Sequence, residues 1–327
     1  MKLGIPRTFF FYYYYPFWSV LFQSLGFELV LSPPTNSAIL EDGIGRALEE
    51  YCLPVKIHRG HVAWLEDKCD YIFSPGYGRS ESRGFFCPKL IGMPDIIRAA
   101  HSSSVTFWHD FDGNGSLDRQ QWSETLRSLD SSLSEPKIIE AWRTAVEEEK
   151  AFFHNTRNGV TITEGISRRT GERPPLRPTA SPNYRLAIIG HPYLVYDPWI
   201  CGRLFETLHH YGAELLFQEN IPEQVIGKKW PFQHKRVYWP VGQETLTSAL
   251  YYIEEGAIDG IIQISSCLCG PDAIVSELLG KYVHRREGRP FPLLQLTVDE
   301  HTGWAGLQTR VEAFMDLLDW RRGHVSL

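Results

Sequence analysis

Short apolar runs recur along this chain, each followed by a turn and then by a stretch with helical spacing. The runs are Lys2–Ile5, Phe27–Leu31 and Tyr71–Ser74, and later Arg185–Gly190, Glu214–Gln218, Gly260–Ser265 and Pro292–Val298. Strands alternating with helices of this length predict parallel sheets covered on both faces. At 327 residues the chain exceeds what one hydrophobic core usually holds. The expected fold class is therefore α/β, with two Rossmann-like lobes of mostly parallel sheet and a helical connecting region. The N-terminal lobe is expected over residues 1–104, a helical connector with a Pro/Arg-rich linker over 105–184, and the C-terminal lobe over 185–327.

In the first lobe the spacing predicts helices over Phe11–Leu25, ended by Gly26, and over Ala38–Tyr51, capped by Asn36 or Ser37. A shorter helix is predicted over Val55–Glu66. The connector holds one strand, Val105–Trp108, and helices over Arg119–Ser128 and Lys137–Asn155. The second of these carries Glu147–Glu148–Glu149–Lys150 and reads as a solvated bridge between lobes. Residues 164–184 contain Pro174, Pro175, Pro178 and Pro182 among several arginines and read as an extended linker. Helices over Pro198–Gly212, Glu244–Gly256, Pro271–Arg286 and Leu307–Asp319 complete the second lobe.

Charge narrows the function classes. The net charge is −6, and no long Lys/Arg run offers a nucleic acid the clustered basic surface it needs. The N-terminus lacks a charged segment followed by an apolar one with a cleavage site, and the aromatic run Phe9–Trp18 is too short to span a bilayer. A soluble cytoplasmic protein without membrane contact is expected.

Six cysteines in such a chain are thiols, ligands or catalysts more often than disulfides, yet none shows CxxC spacing. Cys269 follows a strand and precedes the helix opened by Pro271 and Asp272, where free N–H groups favour a thiolate. Cys87 lies just before Pro88, and Cys52 just before Leu53–Pro54. Cys69 and Cys201 read as structural, and Cys267 either as a fourth ligand or as a wall of the same pocket. From the residues alone, a shared metal site and a set of small buried hydrophobes both stand. The stretch Asp110–Gln121 has the spacing of a calcium-binding loop, but Gln121 replaces the bidentate carboxylate and a strand precedes it. A surface turn accounts for the same residues, so calcium is not an expected cofactor. His191, with Tyr193, Tyr196 and Asp197, follows one strand, and Glu300 with His301 follows another. His191, Glu300 and His301 are thus candidates for proton transfer, their alternative role being to hold loops in place.

Several of these segments together resemble a known family. They are Met1–Pro34, Cys52–Lys56 with Gly60–His61, Cys87–Lys89, His191–Tyr193 with Tyr196–Pro198, Cys269–Asp272 and Asp299–Gly303. The resemblance is to the group related to 2-hydroxyacyl-CoA dehydratases, benzoyl-CoA reductases and their activators, and it extends over both lobes. It implies that Cys52, Cys87 and Cys269 hold a 4Fe–4S cluster between two α/β lobes. It implies too that an ATP-dependent activator, an ATPase of the ASKHA type, feeds the cluster low-potential electrons. A small acyl-CoA substrate and a homodimer or heterodimer are further expectations. A double-cubane cluster, known in one relative, needs about twice as many thiolates, and Cys69 is poorly placed to supply one. The chain departs from the family pattern at Trp304, where a Glu is usual. Two other roles stand beside a dehydratase or reductase component: a non-catalytic cluster carrier or scaffold, and a metal-free binding protein that keeps the fold.

Overall fold

The computed structural model describes residues 1–80, 84–110, 117–172, 181–225, 236–286 and 290–323. It divides into two compact units, Met1–Arg173 with Tyr238–Pro240, and Pro174–Val237 with Val241–Leu327.

The first unit runs β1 (Lys2–Ile5), α1 (Phe11–Leu25), β2 (Glu28–Leu31), α2 (Ser37–Gly45), α3 (Leu53–Leu65) and β3 (Tyr71–Gly76). A short ribbon follows, β4 (Arg79–Ser80) with β5 (Gly84–Phe85), then α4 (Pro88–Ile91), α5 (Met93–Ala100) and β6 (Ser104–Trp108). Helices α6 (Arg119–Leu129), α7 (Glu135–Arg157) and α8 (Ile162–Thr170) complete it. The sheet is wholly parallel, in the order β2-β1-β3-β6.

The second unit runs β7 (Tyr184–Gly190), α9 (Pro192–Val195), α10 (Pro198–His210), β8 (Ala213–Phe217), α11 (Pro240–Glu254) and β9 (Gly260–Ser266). It ends with α12 (Gly270–Arg285), β10 (Leu293–Val298) and α13 (Trp304–Gly323). Its sheet, also parallel, has the order β10-β9-β7-β8. Counted from its own first strand, each unit has the same order, second-first-third-fourth. In both, the connections diverge between the first and third strands, and that divergence opens a crevice at the carboxyl ends. In the first unit the crevice lies between the ends of β1 and β3, in the second between the ends of β7 and β9.

Residues 105–172 were expected to connect two lobes, but they are built into the first unit. β6 is a strand of its sheet, and α7 lies along α1, with Phe17 edge-on to Trp142 (4.9 Å) and Tyr13 edge-on to Phe153 (5.8 Å). Trp122 of α6 is fully buried against Phe17, Phe22, Phe73 and Phe107, and its indole N–H donates to the Trp108 carbonyl at 2.7 Å. Helix α7 is not a solvated bridge: it supplies Ile138, Ala141, Ala145 and Phe152 to the core, Glu148 pairs with Arg169, and burial raises Glu149 to about 7. Part of the predicted linker is helix α8, opened by Thr161, whose hydroxyl accepts from the Glu164 N–H (3.2 Å), and closed by Gly171 at φ 73°. Residues 173–180 of that linker lie outside the described residues, and Tyr184 already begins β7.

The predicted helix Ala38–Tyr51 ends earlier, at Gly45, and α2 is pressed against α3. A side chain on Gly60 would meet the Ile39 carbonyl oxygen at 1.9 Å, and one on Gly43 would meet that of Lys56 at 2.0 Å. Among the described residues no helix is long and apolar enough to cross a membrane.

Candidate functional site

In the second unit, β7 and β9 lie side by side, with Gly190 paired to Ile264. Gly190 has φ 155°, and any side chain there would meet the Ile264 carbonyl oxygen at 2.4 Å. The strand therefore ends pressed against β9, and the next residue, His191, enters the crevice. Pro192 starts α9 immediately, which stiffens the turn. The His191 imidazole is 3% exposed and stacks on Tyr193, with ring centroids 5.0 Å apart and planes 11° apart.

β9 delivers the other half of the site. Its last residue, Ser266, donates its N–H to Oδ2 of Asp272 (2.9 Å), so the carboxylate in the first turn of α12 is locked to the strand end. Between them the chain turns through Leu268, which sits at φ 62°, a conformation side chains disfavour. Cys269 follows as the N-cap residue of α12 and does not cap it through its thiol. His191, Cys269 and Asp272 each bring one donor atom, and these atoms all lie within 4.8 Å of one another. Nδ1 of His191 is 2.8 Å from Oδ1 of Asp272.

In the first unit, Cys52 is the N-cap residue of α3 and Cys87 that of α4, each with proline in the first turn and neither capping through sulfur. Lys89 ties the two loops together, donating to the Glu50 carbonyl (3.1 Å) and lying 5.9 Å from the centre of the Tyr51 ring. Cys52, Cys87 and Cys269 thus share one local design, a cysteine at a helix start stiffened by proline. Cys69 and Cys201 do not share it. Each donates its thiol to a backbone carbonyl, Leu65 at 3.2 Å and Leu194 at 3.3 Å, and burial pushes both thiols up from the ordinary cysteine range. Cys267 is exposed, its N–H donating to the Val298 carbonyl at 2.8 Å.

Glu300 and His301 sit beyond β10 and are not part of the trio. The His301 side chain is 85% exposed and 3.9 Å from Glu300, and Asp299 holds the loop by accepting from the His301 N–H and the Thr302 hydroxyl. That hydroxyl holds the Asp299 carboxyl below the usual range. Of the calcium-like loop, residues 111–116 lie outside the described residues, and Asp118 caps α6 by accepting from Gln120 and Gln121.

Beyond the carboxyl ends of the first unit's strands lie histidines to which the sequence assigned no role. The Thr8 hydroxyl bonds Nδ1 of His58 (2.6 Å), and His61 lies between Ser32 (2.8 Å) and Thr35 (2.9 Å). Nε2 of His109 accepts from the Trp18 indole at 3.2 Å. Burial above all lowers His58, His61 and His109 to about 3, so all three rings are neutral. Phe9, just after Thr8, has φ 52°. Phe9 and Leu268 are the only such non-glycine residues among those described, and each follows a strand that borders its unit's crevice.

Residues 2–221 match a family model described as the CoA enzyme activase uncharacterised domain. The match includes Cys52, Cys87 and His191 and stops short of Cys269 and Asp272. Among curated proteins no match is found. Among solved structures, a LacI family transcriptional regulator from Arthrobacter sp. FB24, in complex with lactose, aligns over 98% of this chain and 91% of its own at 12% identity, with a TM-score of 0.21.

Proposed function

The chain belongs to the CoA enzyme activase uncharacterised domain family, and from that premise we propose that it is an iron–sulfur redox component working with a CoA enzyme activase. In this reading Cys52, Cys87 and Cys269 bind a 4Fe–4S cluster. An ATP-dependent activator of the ASKHA type reduces it, and the electron serves a reductive or dehydrating step on a small acyl-CoA. The observation that supports it most is the shared design of these three cysteines, each at a helix start with proline in the first turn. The donor chemistry fits, because soft thiolates are what iron–sulfur clusters take. Cys69 and Cys201, committed to backbone carbonyls, are left out.

When bound, the cluster supplies one-electron chemistry. The chain's own residues then have three tasks: thiolates from Cys52, Cys87 and Cys269 hold it, Tyr193 fixes the His191 plane beside Cys269, and Asp272 fixes the turn that carries Cys269. His191 is the buried base closest to that corner and is the group placed to move a proton. Glu300, whose side chain is 12% exposed, and His301, at 85%, belong to the same proposal as secondary proton carriers. A cytoplasmic location and a dimer complete it.

The test is reduction by the activator. Reconstituted protein mixed anaerobically with a CoA enzyme activase and Mg-ATP is expected to develop the electron paramagnetic resonance signal of a reduced 4Fe–4S cluster, dependent on ATP. A loaded cluster that stays oxidised contradicts the partnership. Reduction without turnover of any 2-hydroxyacyl-CoA favours the carrier role.

A further inference from the structure

His191, Cys269 and Asp272 come from loops about 80 residues apart and meet wholly inside the second unit. We propose that they form a mononuclear divalent-metal site, of the ferrous iron or zinc class, that needs neither Cys52 nor Cys87. The site shares Cys269 with the cluster proposed above and so bears on that reading, but it does not depend on it.

Three features carry it. First, the donors are an imidazole nitrogen, a thiol sulfur and a carboxylate oxygen, a mixed set suited to borderline first-row ions. Second, Nδ1 of the almost fully buried His191 lies 2.8 Å from Oδ1 of Asp272 and has no aligned hydrogen-bond partner among the described residues. Third, the frame is rigid. Gly190 fixes the approach of β7, Tyr193 the ring plane, and the Ser266 N–H occupies Oδ2 of Asp272 while leaving Oδ1 to the site.

Three protein donors leave open positions for water or for a carbonyl or carboxylate oxygen of a ligand, as in catalytic metal sites.

The experiment uses the full chain, freed of metal anaerobically and titrated with Co2+ alone. One equivalent is expected to bind with a thiolate-to-cobalt charge-transfer band. His191→Ala, Asp272→Asn and Cys269→Ser are each expected to weaken binding at least about tenfold, since even supporting residues around metal sites have effects of that size. The Cys52→Ser/Cys87→Ser double variant is expected to bind cobalt as the unaltered chain does. No charge-transfer band, or one that survives Cys269→Ser, overturns the proposal. X-ray absorption of the zinc-loaded unaltered chain gives a readout independent of variant folding: one sulfur with nitrogen and oxygen donors supports the site, and an all-sulfur or sulfur-free shell refutes it. Cobalt binding here with no cluster on reconstitution refutes the cluster reading alone. A cluster that forms while cobalt binding needs Cys52 or Cys87 refutes this site alone.

Discussion

Lowering the pH from 7 to 5 is expected to destabilise the first unit steeply, because His58, His61 and His109 are neutral within it. Burial lowers each ring from the ordinary 6.5 to about 3. The hydrogen bonding agrees at His109, whose Nε2 lone pair accepts from Trp18 and has no room for a proton. Its surroundings are the rings of Tyr14 (4.9 Å), Tyr77 (5.0 Å) and Trp122 (5.3 Å), with no carboxylate among them. A group whose folded pKa lies below its unfolded one contributes stability that is full above the unfolded value. That stability is lost as pH falls toward the folded value. Here the window is about 6.5 down to about 3. Each ring takes up nearly one proton on unfolding in that range, which is about 1.4 kcal/mol per pH unit. Three rings together approach about 4 kcal/mol per pH unit below pH 6, a large share of a typical domain's stability. The assay is amide hydrogen exchange of the α1, β3 and β6 core at several pH values, corrected for intrinsic rates, with histidine Cε1–H shifts followed in parallel. The expected result is ring shifts that stay flat to pH 5 while core protection falls. In His109→Gln, which keeps an acceptor for Trp18 but cannot titrate, the slope should drop by about a third. Flat protection between pH 7 and 5, or ring shifts that titrate near 6.5, refutes the reasoning.

Three further outcomes are expected. Gly60→Ala forces α2 away from α3, since its Cβ would stand 1.9 Å from the Ile39 carbonyl oxygen, and should cost about 1–3 kcal/mol in chemical denaturation. Trp122→Ala should cost about 3–5 kcal/mol in the first unit, read by the same exchange experiment; a loss under about 1 kcal/mol would restore residues 105–172 to the status of a connector. His301→Ala should leave both cobalt binding and iron content unchanged, because its side chain is 85% exposed and outside the trio.

The repeating strand-and-helix pattern was legible because buried parallel strands are short, apolar and punctuated, and β1 and α1 fall where their spacing puts them. The membership of residues 105–172 was not. The charges of α7 at Glu147–Lys150 are visible in sequence, whereas the packing of Phe153 and Trp142 on α1 is a tertiary fact. Helix α8 did leave a signal, Thr161 three residues before Glu164, but the arginines and prolines beyond it dominated the composition. At the site, Cys269 was readable as a residue between a strand and a helix. Its partnership with His191 and Asp272 was not, because only the pairing of β7 with β9 brings the two loops together. The shared strand order of the two units was likewise hidden, since register between distant strands leaves no local trace.

The central claim concerns which thiols hold iron, and it is tested most directly by iron and acid-labile sulfide content after anaerobic reconstitution. The expected result is about four of each per chain, as a 4Fe–4S cluster requires. The content should be abolished in Cys52→Ser/Cys87→Ser/Cys269→Ser and unchanged in Cys69→Ser. No iron in the unaltered chain, or equal loss in both variants, contradicts it.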